Sequence, residues 1–563
     1  MKNILNQYFN KVFIQRLLMP FSLIWLLITL QFCLIGCNGS GQNRSASGMV
    51  YTRTAIDSGT ANAFTSVVPY NGLYAYGSNM GFYGFQLTDK NVAELAYNAG
   101  SRTIRASLPD RLISGYGNVN IRQSEFIYYT DSLGMKDITA FVGEPNDPKN
   151  YGTQAPDNRD TIIFLGCSER AKTFKGLYEP VWLDSAKTKI NTTNTYAWYL
   201  YKTVKAYGKY VKFWEITNEP DFTYSAAGWQ SPDVSWSWWN VNPAPNELEN
   251  LKAPIFYYIH CLRVAWDVIK TLQPHSFICT GGIGYPSFLD AMLRNTDNPN
   301  DGSVTNEYPL KAGAYFDILC FHNYPFYTLN YWDNSNGGSV KFHRHSDAAA
   351  DVFLKFKNDF AKVLEDYGYN GTAYPLKQWI STEVDLARQQ IGSDWGNEEA
   401  ANNFIIKLHI LSQVNGIEQV YKFGLGENAP SNNNIYNKMG VYGDISAPST
   451  TVTNAPKNSQ FKAVKTVSNI LFGKRYDANR TAQLNLSPTI RGAAFKDSSG
   501  KYTYVLWAVT STDLSEKAEA SYTFPFAFTG NRKEWDYSTT NATIPALQTV
   551  KLKGSPSFFT EGK

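Results

Sequence analysis

The chain has 563 residues, a formal charge of +4, and 18% charged residues. So even a balance argues against nucleic acid or an acidic lipid surface as the main partner. Aromatic residues make up 15%, including 14 Trp, more than a core requires, and such rings often line clefts that take sugars.

Lys2, Lys11 and Arg16 precede an apolar run from Leu17 to Gly36, broken by Pro20, Ser22, Thr29 and Gln31. A polar Gly/Ser/Asn stretch follows at once, so residues 1–36 read as a secretory signal rather than a spanning helix. Leu34-Ile35-Gly36-Cys37 resembles the bacterial lipobox. That resemblance implies cleavage before Cys37, acylation of its thiol and new amino group, and a chain tethered to a membrane it does not cross. Asn38 in place of Asp implies an outer-membrane address, with the leaflet open. Loss of residues 1–36 removes three positive charges and no negative one, leaving +1 (4 − 3). Residues 37–48, rich in Gly, Ser and Asn, read as a flexible tether. Residues 49–70 form an N-terminal segment that could lend a strand to the C-terminal domain. Cys167, Cys261, Cys279 and Cys320 show no close pairing. Export permits disulfides, yet Cys279 and Cys320 lie in strand-like runs where buried free thiols are expected, and no metal site is read from them.

From there short apolar runs alternate with amphipathic stretches. Leu73–Asn79 predicts a first strand, followed by a helix opening at Thr88 or Asp89 with Val92, Leu95 and Ala96 on one face, closed by Gly100. Thr103–Ser107 and Asp137–Val142 are the second and third strands, with a helix around Glu125–Leu133 between them. A helix over Tyr196–Tyr207 leads to the fourth, Phe213–Asn218. Phe277–Gly281, Phe316–Phe321, Gln378–Thr382 and Glu418–Phe423 follow, separated by helices near 254–271, 287–294, 347–367 and 397–414. Eight strand–helix units predict an α/β fold, a (β/α)₈ barrel over residues 71–472 ending in a helix over Gln460–Leu471, with function at the C-terminal ends of its strands. After Gly473 the pattern changes to short alternating strands such as Tyr502–Val509 and Glu519–Phe524, which predicts a small antiparallel β-sandwich over residues 473–563.

The fourth strand ends in Asn218-Glu219-Pro220 and the seventh in Thr382-Glu383. An isolated Glu at a strand end is often a solvated terminus or a cap. Two at facing strand ends suit a glycosidic cleavage in which one carboxyl keeps its proton to assist the leaving oxygen and the other attacks the anomeric carbon. Here the sequence resembles glycoside hydrolase clan A, which carries Asn-Glu-Pro on the fourth strand and a nucleophilic Glu on the seventh. The resemblance implies Glu219 as acid/base, Glu383 as nucleophile and Asn218 as the donor to the sugar 2-hydroxyl. It further implies Arg105 as the cation that keeps the nucleophile ionised, and, from His322-Asn323-Tyr324, His322 against the acid/base or the sugar and Tyr324 as a donor to Glu383. Asn79 holds the matching position on strand one. The clan's strand-eight Trp is absent from Val420-Tyr421-Lys422-Phe423-Gly424, so Phe423 or Tyr421 would substitute. Asn437–Gly443 and the terminal sandwich look more like family 39 than like compact family 5, with agarase-like families also open.

Trp229, Trp236, Trp238 and Trp239 crowd the loop after strand four and are read as sugar-stacking rings or as an aromatic cluster pinning that loop. Tyr327 and Trp332 follow strand six, and Trp395 follows strand seven. Glu427, after strand eight, and Glu144, after strand three, could bind a sugar hydroxyl. Asp385 is a fallback nucleophile, Glu215 a deeper structural carboxylate, and Asp221 a brace of its loop. Lys341, His343, Arg344 and His345 read as solvated surface, with a sulfate or uronate site as the alternative. No cofactor is implied and the oligomeric state is open. The expectation is a retaining glycoside hydrolase acting on a β-linked poly- or oligosaccharide. The alternatives are a non-catalytic glycan-binding surface lipoprotein on the same barrel, and a metal-dependent hydrolase, for which only His322 among six His stands at a strand end.

Overall fold

A computed structural model of the chain describes residues 69–113, 118–143, 176–221, 255–429, 433–536, 542–544 and 549–562. The expected signal, tether and Cys37, residues 49–68, Glu144, Cys167 and the four Trp after strand four lie outside the described residues.

Eight parallel strands close a barrel: β1 (Ala75–Asn79), β2 (Thr103–Ser107), β3 (Ile138–Val142), β4 (Val211–Ile216), β5 (Phe277–Cys279), β6 (Ile318–Asn323), β7 (Gln378–Val384) and β8 (Ile417–Lys422), with β8 pairing back onto β1. Alternation along each strand decides what lies inside. Phe213, Phe277, Cys279, Ile318, Cys320, Ile380 and Tyr421 form one buried cluster in the barrel interior. Their sequence neighbours Trp214, Ile216, Ile278, Leu319 and Val420 belong to the larger core shared with the helices. Tyr70 belongs to the interior cluster rather than to the terminal domain: its ring meets Phe213 edge-on at 5.0 Å and its hydroxyl donates to Asp137 at 2.9 Å. Cys261, Cys279 and Cys320 are buried free thiols.

The helices follow from the local signals. The helix Asp89–Asn98 is opened by a capping box in which Thr88 accepts from the Asn91 amide and Asn91 accepts from the Thr88 amide. The helix read around Glu125–Leu133 is a short α-helix, Gln123–Ile127, running into a π-helical turn, Tyr128–Ser132. Among the described residues no helix is long and apolar enough to cross a membrane.

The C-terminal residues form a six-stranded antiparallel sheet and a separate two-stranded one, Glu519–Thr523 with Thr549–Lys553. Buried charge fastens them to the barrel. Asp347, at the start of the helix Ser346–Asp366, accepts from Lys407 Nζ at 2.7 Å, Trp507 Nε1 at 2.9 Å and the Thr510 amide at 2.8 Å. Lys407 is fully buried, and a buried ammonium deprived of its carboxylate costs roughly 3–5 kcal/mol. The supposed basic cluster serves the same junction. Arg344 grips Asp513 with its backbone amide at 2.8 Å and its guanidinium at 2.6 Å, while buried His345 caps the Ser346–Asp366 helix and faces the Thr510 hydroxyl. Of the four, only Lys341 is exposed as expected; His343 and Arg344 are half-buried and His345 is buried.

Candidate active site

The C-terminal ends of the strands gather the charges that the sequence separates. On β4 the inward alternation that places Phe213 in the barrel interior also turns Glu215 inward, fully buried. Arg105, inward at the middle of β2, bridges it with Nε at 2.6 Å and a terminal nitrogen at 3.0 Å. The same guanidinium reaches Glu383 Oε1 at 2.7 Å, Asn218 Oδ1 at 2.6 Å and Asn79 Oδ1 at 3.0 Å. Burial disfavours the cation, but Glu215 and then Glu383 outweigh it and raise the Arg105 pKa above its ordinary value. A guanidinium only donates, so the Asn218 oxygen faces it and the Asn218 NH₂ group turns the other way. Asn79 spends both ends of its amide here, donating to the Thr382 carbonyl at 2.8 Å while accepting from Arg105.

Glu219 stands on a strained elbow. Thr217 and Glu219 have φ of +66° and +47°, left-handed values that cost a non-glycine residue roughly 1–3 kcal/mol each. The turn is held by backbone bonds from the Thr217 amide to Val142 at 2.8 Å and from the Glu219 amide to Gly281 at 2.5 Å. Asp221, two residues on, accepts from the Gly284 and Tyr285 amides at 2.7 and 2.9 Å, tying the β4 loop to the β5 loop. Burial pushes its carboxyl up to about 7, against the pull of the Gly284 amide and with some help from Glu219.

On β7 the sheet carries a bulge. β6 pairs Phe321 with Ser381 and then His322 with Glu383, and β8 skips a residue over the same stretch, so Thr382 is one residue more than either neighbour supplies. Extra residues of this kind re-aim side chains beside functional sites. Here Thr382 and Glu383 both point at the barrel mouth, which strict alternation forbids. Tyr324 donates to Glu383 Oε2 at 2.6 Å. Burial first, then the Glu383 and Glu219 charges, hold its phenol well above the ordinary value, so it remains a donor. His322 places Nδ1 2.7 Å from Glu219 Oε1 and 3.7 Å from Glu383 Oε2, and Nε2 3.0 Å from Thr382 Oγ1. Burial works against its protonation, yet the Glu383 and Glu219 carboxylates prevail and raise its pKa. Gly282 allows the ring to sit there: a Cβ at that position would lie 2.2 Å from Nε2.

One donor atom from each of Glu219, His322 and Glu383 lies within 4.8 Å of the others. That spacing suits two acid–base partners around a reacting bond, and it would also admit a divalent ion. An ion would compete with the Arg105 cation, which already lies 2.7 Å from Glu383.

Other expected residues lie apart from this cluster. Trp395 is only 6% exposed and packs in the core, so its ring is not presented to a ligand. Glu427 is buried and occupied by Arg388 and by Asn458, the latter at 3.1 Å. Asp385 is likewise buried and paired with Lys422. Tyr421 is fully buried inside the barrel, with its hydroxyl on Thr139 at 2.7 Å, and does not replace a strand-eight Trp. Phe423 does reach the site, edge-on to Tyr324 at 5.6 Å, with Tyr436 beside both. Tyr327, half-exposed, shares a 2.7 Å hydroxyl contact with Tyr436. Thr382 and Tyr436 are additions that no motif singles out.

No family model and no curated protein sequence matches the chain. Among solved structures it is similar to a family 39 glycoside hydrolase from the gut symbiont Bacteroides cellulosilyticus WH2, at 14% identity and TM-score 0.51, over 87% of this chain and 81% of that one. It is also similar to an alpha-L-arabinofuranosidase from Thermotoga maritima (11%, TM-score 0.46, 87% and 96%) and to the catalytic domain of the GH30 xylanase C from Talaromyces cellulolyticus (12%, TM-score 0.42, 88% and 98%). At 14% identity the likeness to the family 39 enzyme is one of fold alone, the barrel.

Proposed function

We propose that the chain is a retaining glycoside hydrolase of clan A, family 39-like or of a related family, that cleaves a β-linked poly- or oligosaccharide by double displacement. The supporting observation is the approach of Glu219 and Glu383 to within 4.8 Å. Inverting enzymes hold their carboxyls roughly 6.5–9.5 Å apart to admit a water, while retaining ones need only about 5–5.5 Å. Glu383, bound by the Arg105 cation and the Tyr324 hydroxyl, is the nucleophile. Glu219, beside the titratable His322, first protonates the leaving oxygen and then, once the glycosyl–enzyme has neutralised Glu383, deprotonates the incoming water. The NH₂ group of Asn218, turned from Arg105, donates to the sugar 2-hydroxyl.

The test is product analysis against a panel of plant and algal polysaccharides, with the anomeric configuration of the first product read by proton NMR. Retention is expected; inversion removes Glu383 from the nucleophile's role, and tight binding with no product leaves the non-catalytic glycan-binding reading. The 4.8 Å cluster also favours a second reading, metal-assisted hydrolysis. Activity that survives dialysis against EDTA rejects it, and activity lost there and restored by a divalent ion supports it. The lipobox-like Leu34–Cys37 carries the proposed address, a lipid anchor at Cys37 in a bacterial outer membrane. On cell fractionation the native chain should sediment with the membranes and Cys37→Ala should not; if both stay in the supernatant, the anchor is rejected.

A further inference from the structure

We propose that Thr382 is a positioning residue that fixes the tautomer of His322, so that the imidazole exchanges its proton with Glu219 through Nδ1 alone. The inference rests on the reading of Glu219 as the carboxyl that handles the proton. Thr382 Oγ1 lies 3.0 Å from Glu215 Oε1 and 3.0 Å from His322 Nε2. A hydroxyl has one hydrogen, and Glu215, bridged by Arg105, has only acceptors to offer. The Thr382 hydrogen therefore points at Glu215. Pointed at His322 instead, it would leave two oxygens facing each other at 3.0 Å in a buried site with no hydrogen between them. Once that hydrogen is committed, Oγ1 can only accept from the ring, and Nε2 carries a hydrogen whether the ring is neutral or cationic.

Nδ1 is then the nitrogen that changes state. In the neutral ring it is bare, and the hydrogen across the 2.7 Å gap belongs to Glu219; in the cation it belongs to Nδ1 and is donated to the Glu219 carboxylate. The charged groups facing the ring are Glu219 from the β4 loop, Glu383 from β7 and Arg105 from β2. From the β5 loop Gly282 lies against the ring and has no side chain to disturb the Nε2 contact. The bulge on β7 supplies the independent support. It spends one extra residue to bring the Thr382 hydroxyl to the same mouth as Glu383, and that hydroxyl binds Glu215 and His322 there. Glu215, Thr382, His322 and Glu219 form a chain of three hydrogen bonds from the barrel interior to the proton that acts.

Imidazole ¹⁵N NMR of the full chain tests this, with His322→Asn assigning the resonance. In the native protein Nε2 should keep a protonated shift across the titration while Nδ1 alone moves. Thr382→Val should release that constraint, mix the two tautomers, and lower kcat roughly 10- to 100-fold with KM altered less than about 3-fold, a loss at or below the lower edge of the ~10²–10⁴ span of general acid–base catalysis because Glu219 itself is kept. Thr382→Ser should restore both readouts. A bare Nε2 in the native protein, or a Thr382→Val variant with native tautomer and native pH–rate profile, overturns the proposal. The tautomer is read without substrate, so a chain that cleaves no glycan but shows the expected shifts rejects the hydrolase reading and leaves this one standing.

Discussion

Glu383→Gln is expected to lower kcat on any cleaved glycan on the order of 10⁴-fold or more, the scale on which loss of an activated nucleophile is felt. The carboxylate accepts on one oxygen from Arg105 at 2.7 Å and on the other from Tyr324 at 2.6 Å. An amide can accept at only one of these places, because its NH₂ group must face a donor at the other. The variant therefore loses attacking charge and gains a donor–donor contact at once. Arg105 keeps its two bonds to Glu215, so the cluster retains a partnered cation and the fold should survive; an unchanged thermal midpoint separates lost chemistry from lost structure. Mass spectrometry supplies the positive control. A fluorinated glycoside of the sugar the native enzyme releases should become covalently attached to the peptide carrying Glu383, and to nothing in the variant. A variant that keeps more than a few per cent of native turnover would falsify the nucleophile assignment.

The barrel was legible because its signals are local. Each strand is a short apolar run, each helix carries its own cap or stripe, and the ends of the eight strands fall within two residues of the sequence reading even where β5 shrinks to Phe277–Cys279. Glu219 and Glu383 were legible for the same reason, as carboxylates at strand ends where a barrel collects side chains, whereas Arg105, His322 and Tyr324 were singled out only by the resemblance to clan A. Thr382 was not legible. Its direction depends on a bulge, and a bulge is a mismatch of register among β6, β7 and β8 that no single strand records. Trp395 and Glu427, expected to bind sugar, and His345, expected on a solvated surface, failed in the other direction. Each lies near residues of suggestive type, but packing decided its use: a core ring, a buried ion pair and a helix cap. Composition shows that aromatic and charged groups are available near a cleft, and only tertiary contact shows which of them still face it.

Glu219→Ala should separate the two halves of the reaction. With a natural glycan the leaving alkoxide needs a proton, and removing the acid should cost about 10³-fold or more, near the upper part of the range for general acid–base groups. A dinitrophenyl glycoside leaves without that proton, so its first step should proceed near the native rate. The burden then falls on the second step, where the missing base leaves the glycosyl–enzyme waiting for an unactivated water, and a burst of phenolate followed by slow turnover should result. Azide needs no base. Glu219 is 22% exposed in its side chain, so its removal opens a path from solvent to the anomeric carbon, and azide should restore turnover by forming a glycosyl azide of retained configuration. Alanine introduces no new backbone strain at φ +47°, because the left-handed penalty arises at Cβ, which both residues have. Equal losses for good and poor leaving groups, with no response to azide, would place Glu219 outside the acid/base role and make its hydrogen-bonded neighbour His322 the first candidate for it.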